Sequence, residues 1–224
     1  DVTYSVLCTD GDARLGGDDV DLEMYKICEA KIADAGYDPK KIPSVEKEKL
    51  LLRLDRLKRQ GPGSYTVDLD FKLKGGEKLK YKLQLAHEDF GYAMRQVYNR
   101  TKPMVRSVVA NSGKIKFKSI ALVGGSTKSP FIKEFLKKDF PDVKINDALN
   151  PDLAVALGAS IKAKEAKFKD RNVEIFDVIP LAIGVLSGGS VKPLIRQNQR
   201  VPYSYTETFT TVADNQKEIE VVVL

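Results

Sequence analysis

The stretch Ala121-Leu-Val-Gly-Gly-Ser-Thr-Lys-Ser-Pro130 decides how the chain is read. An apolar run over 119–123 predicts a buried strand, the diglycine Gly124-Gly125 a tight turn, and residues 129–138 a helix. Two glycines at such a turn let the backbone come close to a ligand, because no Cβ stands in the way. The first amides of the following helix carry partial positive charge, Ser126 and Thr127 add hydroxyls, and Lys128 adds a cation. The spacing is neither that of a P-loop nor the dinucleotide G-x-G-x-x-G. Two readings therefore stand side by side: a nucleotide-contact loop, or a tight connection between packed elements.

Outward from this stretch the chain alternates helices and strands. Asp10-Gly11-Asp12 ends a strand-like run at 3–9, and Asp18 and Asp19 open a helix whose apolar face is Val20, Met24, Ile27 and Cys28. Residues 44–60 predict a charged helix with a stripe of Leu50, Leu51, Leu54 and Leu57, stopped by Gly61-Pro62-Gly63. Runs at 65–74 and 78–85 joined by Gly75-Gly76 predict a β-hairpin. A long helix is predicted from His87 to Asn111, with Pro103 placed to kink it. Another is predicted from Asn150, with Pro151 at its first position and Asp152 in its first turn. After the polar Asp170-Arg-Asn172 the composition turns β-like to Leu224, with turns at Gly188-Gly189 and Asp214-Asn215. A domain boundary is predicted at 172–178.

Of the 224 residues, 42% are hydrophobic and 30% charged, enough for a real core, and the net charge is +6. The lysines are spread over several amphipathic stretches rather than gathered with aromatic residues, so no nucleic-acid partner is expected. No apolar run is long enough to span a membrane. The two cysteines, Cys8 and Cys28, suggest neither a disulfide framework nor a zinc site and fit a reducing compartment, with cytoplasm the expected location. The single histidine, His87, reads as a surface or capping residue. The start at Asp1 and the end within the strand-like Glu218-Ile-Glu-Val-Val-Val-Leu224 lead us to expect a piece of a larger protein.

Charged residues suggest one further element of chemistry. Asp55, Lys58 and Arg59 lie three and four residues apart and share one face of their helix, as an exposed salt-bridged surface or as ligand contacts. No adjacent acid and base sit within a glycine loop, and no catalytic residue or metal ligand is expected.

The order of the motifs is more specific than any one of them. Gly11-Asp-Ala-Arg-Leu-Gly-Gly-Asp-Asp-Val-Asp21, Asp55-Arg-Leu-Lys-Arg59, Val123-Gly-Gly-Ser-Thr-Lys128, Asn150-Pro-Asp-Leu-Ala-Val-Ala-Leu-Gly-Ala159, Asp177-Val-Ile-Pro-Leu-Ala-Ile-Gly184 and Phe209-Thr-Thr-Val-Ala-Asp-Asn-Gln216 follow one another at near-family spacing. Together they resemble the seventy-kilodalton heat-shock chaperone family over almost the whole chain. The resemblance implies an α/β fold: the second lobe of an actin-like (ribonuclease-H-like) ATPase domain over 1–172, an interdomain linker at 173–178, and a partial β-sandwich at 179–224 from the peptide-binding domain. It implies ATP or ADP as cofactor, with magnesium in the parent protein. Gly125 and Ser126 would approach the adenosine, Lys128 the adenine, and Asp55, Lys58 and Arg59 the ribose and base, while Gly17 and Asp152 line the site. Val185, Phe209, Val212, Ile219 and Val221 would line the peptide channel. Unfolded client peptides, J-domain co-chaperones and nucleotide-exchange factors are the partners implied.

Departures from the family pattern carry their own expectations. The family's phosphate loops and magnesium-positioning residues belong upstream of Asp1. Phosphoryl transfer needs metal and a positioned water, so this chain is not expected to hydrolyse ATP by itself. Lys128 replaces the family's arginine and loses a planar guanidinium that stacks on a base, which predicts weaker adenine binding. Gly61-Pro-Gly63 replaces a serine-rich extension. Val173-Glu-Ile-Phe176 replaces an acidic, leucine-rich linker, and Gly188 replaces a bulky residue over the bound peptide. An unpaired strand edge in the β segment would favour self-association. The alternative function is a non-enzymatic co-chaperone or exchange-factor module of the same family. A sugar kinase or filament protein of the actin fold is disfavoured by the blocks at 177–184 and 209–216.

Overall fold

The computed structural model describes residues 2–113, 115–146, 148–168 and 173–224. Asp1 and the polar stretch Asp170-Arg171-Asn172, whose last residue opens the expected boundary at 172–178, lie outside them. The chain mixes helix and strand and divides into two compact units, one of Asp12–Met104 with Lys116–Ala156, the other of Asp1–Gly11, Val105–Ile115 and Leu157–Leu224.

In the larger unit, helix α1 (Gly17–Asp34) begins where the Gly16 N–H donates to Asp19 Oδ2 at 2.7 Å, while Asp18 and Asp19 complement its exposed amides. Helix α2 (Ser44–Gln60) ends at Gly61, whose φ of +107° only a glycine adopts comfortably. Strands β2 (Tyr65–Lys72) and β3 (Lys78–Leu85) form the predicted antiparallel hairpin, Tyr65 opposite Leu85 and Lys72 opposite Lys78. Alternation puts Val67, Leu69, Leu79, Leu83 and Leu85 on its buried face. Helix α3 (His87–Asn111) packs Phe90, Ala93, Met94 and Val97 on the same core as Val20, Met24, Cys28 and Ile32 of α1 and Leu50 and Leu54 of α2. Leu51 and Leu57 are half-buried at its edge. Leu54, Leu79 and Leu83 are fully buried; each contributes about 1.5–3 kcal/mol of transfer free energy.

A second, smaller core lies under the parallel pair β4 (Ser119–Ala121) and β5 (Lys144–Asn146), where Leu122 and Tyr98 meet Leu136 of α4 (Pro130–Asp139). Between β4 and α4, residues Gly125–Lys128 wind into a 3₁₀ turn, so the helix starts at Pro130. His87 is exposed at the start of α3, its ring 4.9 Å from that of Phe131. The capping contact there is made by Asp89, which accepts from the Ala86 N–H at 2.7 Å.

The helix predicted from Asn150 starts later. Residues 151–153 form a turn and α5 runs over Ala154–Phe168. The side chain of Asn150 accepts from the Asp152 N–H at 3.0 Å and its carbonyl accepts from the Ala154 N–H at 3.0 Å, so Asn150 caps the turn as an N-cap residue does. Pro151 follows that cap, where its missing N–H is not needed, but its carbonyl is taken by the Gly124 N–H at 2.8 Å, and the regular helix begins only at Ala154.

In the smaller unit, β1 (Val2–Ser5) pairs in parallel with β6 (Val173–Phe176), a shorter strand than the 3–9 run predicts. The Arg200 guanidinium lies 3.7 Å from the Phe176 ring centroid. Strands β7 (Ile183–Ser187) and β8 (Ser190–Ile195) form a hairpin through Gly188-Gly189, both at positive φ. Residues 222–224 run along the other side of β7, where Gly184 and Leu224 exchange N–H···O bonds of 2.9 Å. Among the described residues between Ile195 and that pairing there is no regular strand, although the composition is β-like throughout. Composition supplies β propensity, but a strand also needs a paired neighbour. No helix among the described residues is long and apolar enough to cross a membrane.

Candidate functional site

The 3₁₀ turn at Gly125–Lys128 forms one wall of a cleft of about 510 Å³ in the larger unit. The first turn of α1 supplies Gly17 and Asp18, the last two turns of α2 supply Asp55, Lys58 and Arg59, and the turn after Asn150 supplies Asp152. All eight positions singled out from sequence as a cofactor set, namely Gly17, Asp55, Lys58, Arg59, Gly125, Ser126, Lys128 and Asp152, line this one cleft. They come from four separated stretches of chain. The Gly124–Pro151 backbone bond holds two of those stretches together.

Close approach is built into the floor. A Cβ placed on Gly17 would lie 3.3 Å from Ser126 Oγ and 3.4 Å from Lys58 Nζ, and one on Gly125 would lie 3.6 Å from Asp152 Oδ1. Lys58 Nζ donates to the Gly17 carbonyl at 2.9 Å and to Asp21 Oδ2 at 2.6 Å, and it lies 3.1 Å from Asp55 Oδ1. The other Asp55 oxygen accepts from Arg59 Nε at 2.8 Å. Partial burial alone would raise the Asp55 carboxyl, but the bonds from Arg59 and Lys58 outweigh it and hold the group below the ordinary carboxylate value. The same bond raises Arg59, which keeps its charge. Lys128 pairs with Asp152, both about half exposed at the mouth.

The lining carries Asp18, Asp55 and Asp152 against Lys58, Arg59 and Lys128. This balance does not concentrate the positive charge that a polyphosphate demands. It suits a neutral, hydroxyl-rich group, with carboxylates accepting from ligand hydroxyls and ammonium groups donating to them. The volume is that of an ordinary small-molecule site. Arg59, 76% exposed in its side chain, offers a guanidinium plane on which an aromatic base can lie. A nucleoside fits this donor set. Among the described residues no group of three or more His, Cys, Asp or Glu side chains is placed to hold a metal ion.

Sequence reasoning missed Asp21, which is only 6% exposed and pairs with Lys58 behind the cleft. The available signal was helical: Asp21 follows Gly17 by four residues and shares its face. Met94, Pro62 and Pro130 also line the cleft without having been singled out. The residues assigned to a peptide channel are dispersed in exposure: Val185 is buried in β7, whereas Phe209, Val212, Ile219 and Val221 are exposed. Lys192 lies 5.5 Å from the Phe209 ring centroid.

Comparison with known proteins bears on the whole chain. The family model described as Hsp70 protein matches residues 1–224. A chaperone protein DnaK of Mycoplasma mobile is 32% identical over 99% of this chain, and a mitochondrial-type heat shock protein 70 of Encephalitozoon hellem is 27% identical over all of it. A chaperone protein DnaK of Mycoplasmopsis agalactiae is 31% identical over 98%. The chain spans 38% of the length of each of these relatives. With the family model matched from end to end, this chain belongs to the Hsp70 family.

Proposed function

We propose that this chain carries the nucleoside-binding half of the ATP site of an Hsp70 chaperone that acts on unfolded peptides. The observation that carries this reading is the convergence of Gly17, the Asp55–Lys58–Arg59 face and the Gly125–Lys128 turn on one cleft. Asp55 and Asp152 would accept from ribose hydroxyls, Lys58 would donate to them, and Arg59 and Lys128 would flank the base. ATP supplies the phosphoryl chemistry when bound; the residues of this cleft bind and orient its nucleoside end. In this reading residues 1–172 form the second lobe of an actin-like domain, 173–178 the linker, and 179–224 the start of a peptide-binding β-sandwich. J-domain co-chaperones and exchange factors are then the partners, and magnesium accompanies the phosphates.

The test is a titration of the ¹⁵N-labelled chain with adenosine and, separately, with ADP. Both should shift the amides of Gly17, Lys58 and Gly125–Lys128 with similar affinity, because the cleft addresses the nucleoside. Binding at about 1 mM is readily followed this way. Shifts confined to other residues, or none at millimolar ligand, would reject the reading.

A further inference from the structure

The three N–H donors of Lys58 face three acceptors that differ in kind. Asp55 Oδ1, at 3.1 Å, belongs to a carboxylate on the cleft wall whose other oxygen is already held by Arg59. The Gly17 carbonyl, at 2.9 Å, is fixed by the first turn of α1. Asp21 Oδ2, at 2.6 Å, is the nearest, and its side chain is 9% exposed. The second oxygen of that carboxylate, Oδ1, is buried without a hydrogen-bond partner.

For stability alone this arrangement is poor. A buried carboxylate with one oxygen unsatisfied costs more than an apolar side chain of similar size. Burial pushes the Asp21 carboxyl above the ordinary carboxylate value, against the pull of Lys58. The charged groups around it are Asp18 on its own helix and Lys58 and Asp55 on α2, with Glu48 and Arg59 lining the same shallow groove. Two further carboxylates near it make the site less favourable for a third charge, so Lys58 is the interaction that retains it.

We propose that Asp21 is the positioning residue of the nucleoside cleft. With the Gly17 carbonyl it anchors the Lys58 ammonium, and it leaves the contact to Asp55 as the one that Lys58 gives up to a ligand hydroxyl. Asp21 is fixed by burial, whereas Asp55 is exchangeable because Arg59 continues to satisfy it. This inference rests on the nucleoside reading of the cleft, but the anchoring is tested separately from it.

The anchoring is read from the Lys58 side-chain ammonium signal in ¹H–¹⁵N NMR spectra of the whole chain, a signal that persists only when the group is held against solvent exchange. Asp21→Asn should abolish it, while Asp55→Asn should leave it. In the unaltered chain the signal should fade on acidification as Asp21 takes up its proton, above the pH at which ordinary carboxylates titrate. Asp21→Asn should also weaken adenosine binding by about tenfold, as should Lys58→Met, and the double variant should be no weaker than Lys58→Met alone. Loss of the ammonium signal in Asp55→Asn with retention in Asp21→Asn would overturn the proposal. So would adenosine affinity within about twofold of the original in a folded Asp21→Asn chain. If Asp21→Asn does not fold, the acid titration of the unaltered chain decides, with the ¹³C shift of the Asp21 carboxyl followed beside the ammonium signal: an ammonium signal that persists after the Asp21 carboxyl has taken up its proton overturns the anchoring. Failure of adenosine to bind the unaltered chain would reject the nucleoside reading, while the ammonium comparison still assigns the anchor.

Discussion

Gly17 and Ser126 approach so closely that a Cβ on the first would sit 3.3 Å from the hydroxyl oxygen of the second. The neighbours are the ends of two side chains, Ser126 and Lys58, rather than backbone, so a methyl group can be admitted only by displacing them, and the floor of the cleft cannot stay where it is. Gly17→Ala should change stability by less than about 1 kcal/mol, since Gly17 only opens α1 and the propensity gained there is offset by displacing Ser126 and Lys58. Gly17→Val should weaken adenosine binding by about tenfold, or 1.4 kcal/mol. Urea unfolding and nucleoside titration of the same variants check the two halves. Equal affinity in Gly17→Val would remove Gly17 from the site.

A different glycine is needed for packing. On α3 a Cβ at Gly91 would meet Phe131 Cε1 at 3.0 Å and Cζ at 3.2 Å, and Phe131 is buried against the main core. Gly91→Ala should cost about 1–3 kcal/mol through overpacking, less the helix propensity gained. Gly158 in α5 has nothing within 4 Å of its Cβ position, and Gly158→Ala should stabilise by up to about 1 kcal/mol. The pair of urea midpoints separates close packing from propensity, because the backbone change is the same.

Local signals account for what was legible in the sequence. The C-terminal end of α2 follows from Gly61-Pro-Gly63, and the hairpin from Gly75-Gly76, both residues at positive φ. The eight cleft residues were singled out because family order tied together stretches that spacing alone leaves as salt-bridged faces and common turns. Asn150 and Pro151 are the cap and first position that the sequence signals, but the regular helix waits until Ala154 because the Pro151 carbonyl is taken by the Gly124 N–H, a tertiary bond that no local pattern announces. Asp21 was invisible as a site residue because its importance lies in Lys58, 37 residues away, reaching back to it. The stretch after Ile195 reads as β throughout, yet which part of it finds a partner strand is a tertiary outcome.

Acid should act on Asp19 and Asp21 with opposite signs. The Gly16 N–H holds the Asp19 carboxyl below its ordinary value of 3.8, with partial burial opposing and Arg100 assisting. That contribution is present above pH 3.8 and is lost as pH falls through the depressed value. Burial raises Asp21, so its contribution is full below 3.8 and is lost as pH rises through the raised value. Relative to the unaltered chain, Asp19→Asn should lose stability at pH 7 and recover towards it below pH 3.8. Asp21→Asn should shift in favour of the variant as pH rises from 3.8 towards neutrality. Thermal unfolding across that range reads both, and parallel profiles for the two variants would contradict the assignment.

The two thiols should differ in reactivity. Cys28 is fully buried in α1, and burial pushes its thiol up to about 12. Cys8 is only half-buried and donates to the Val108 carbonyl at 3.2 Å. Since the thiolate is the reacting form, Ellman's reagent at pH 8 should modify Cys8 alone in the folded chain. Both cysteines should react in denaturant. Rapid modification of Cys28 without denaturant would mean that the α1 core opens.

Lys128 and Asp152 pair at the mouth of the cleft with side chains 54% and 49% exposed. An ion pair so open to water adds little to stability, so Lys128→Arg and Lys128→Met should both unfold within about 0.5 kcal/mol of the unaltered chain. Affinity should respond differently. Arginine keeps the charge opposite Asp152 and adds a planar group for the base, which should tighten adenine nucleoside binding a few-fold, about 0.5–1 kcal/mol. Methionine removes the charge and should weaken it. Titration with adenosine and with ribose separates the sources: the gain from arginine should appear with adenosine only. If ribose gained equally, Lys128 would act on the sugar, and Arg59 alone would be left to flank the base.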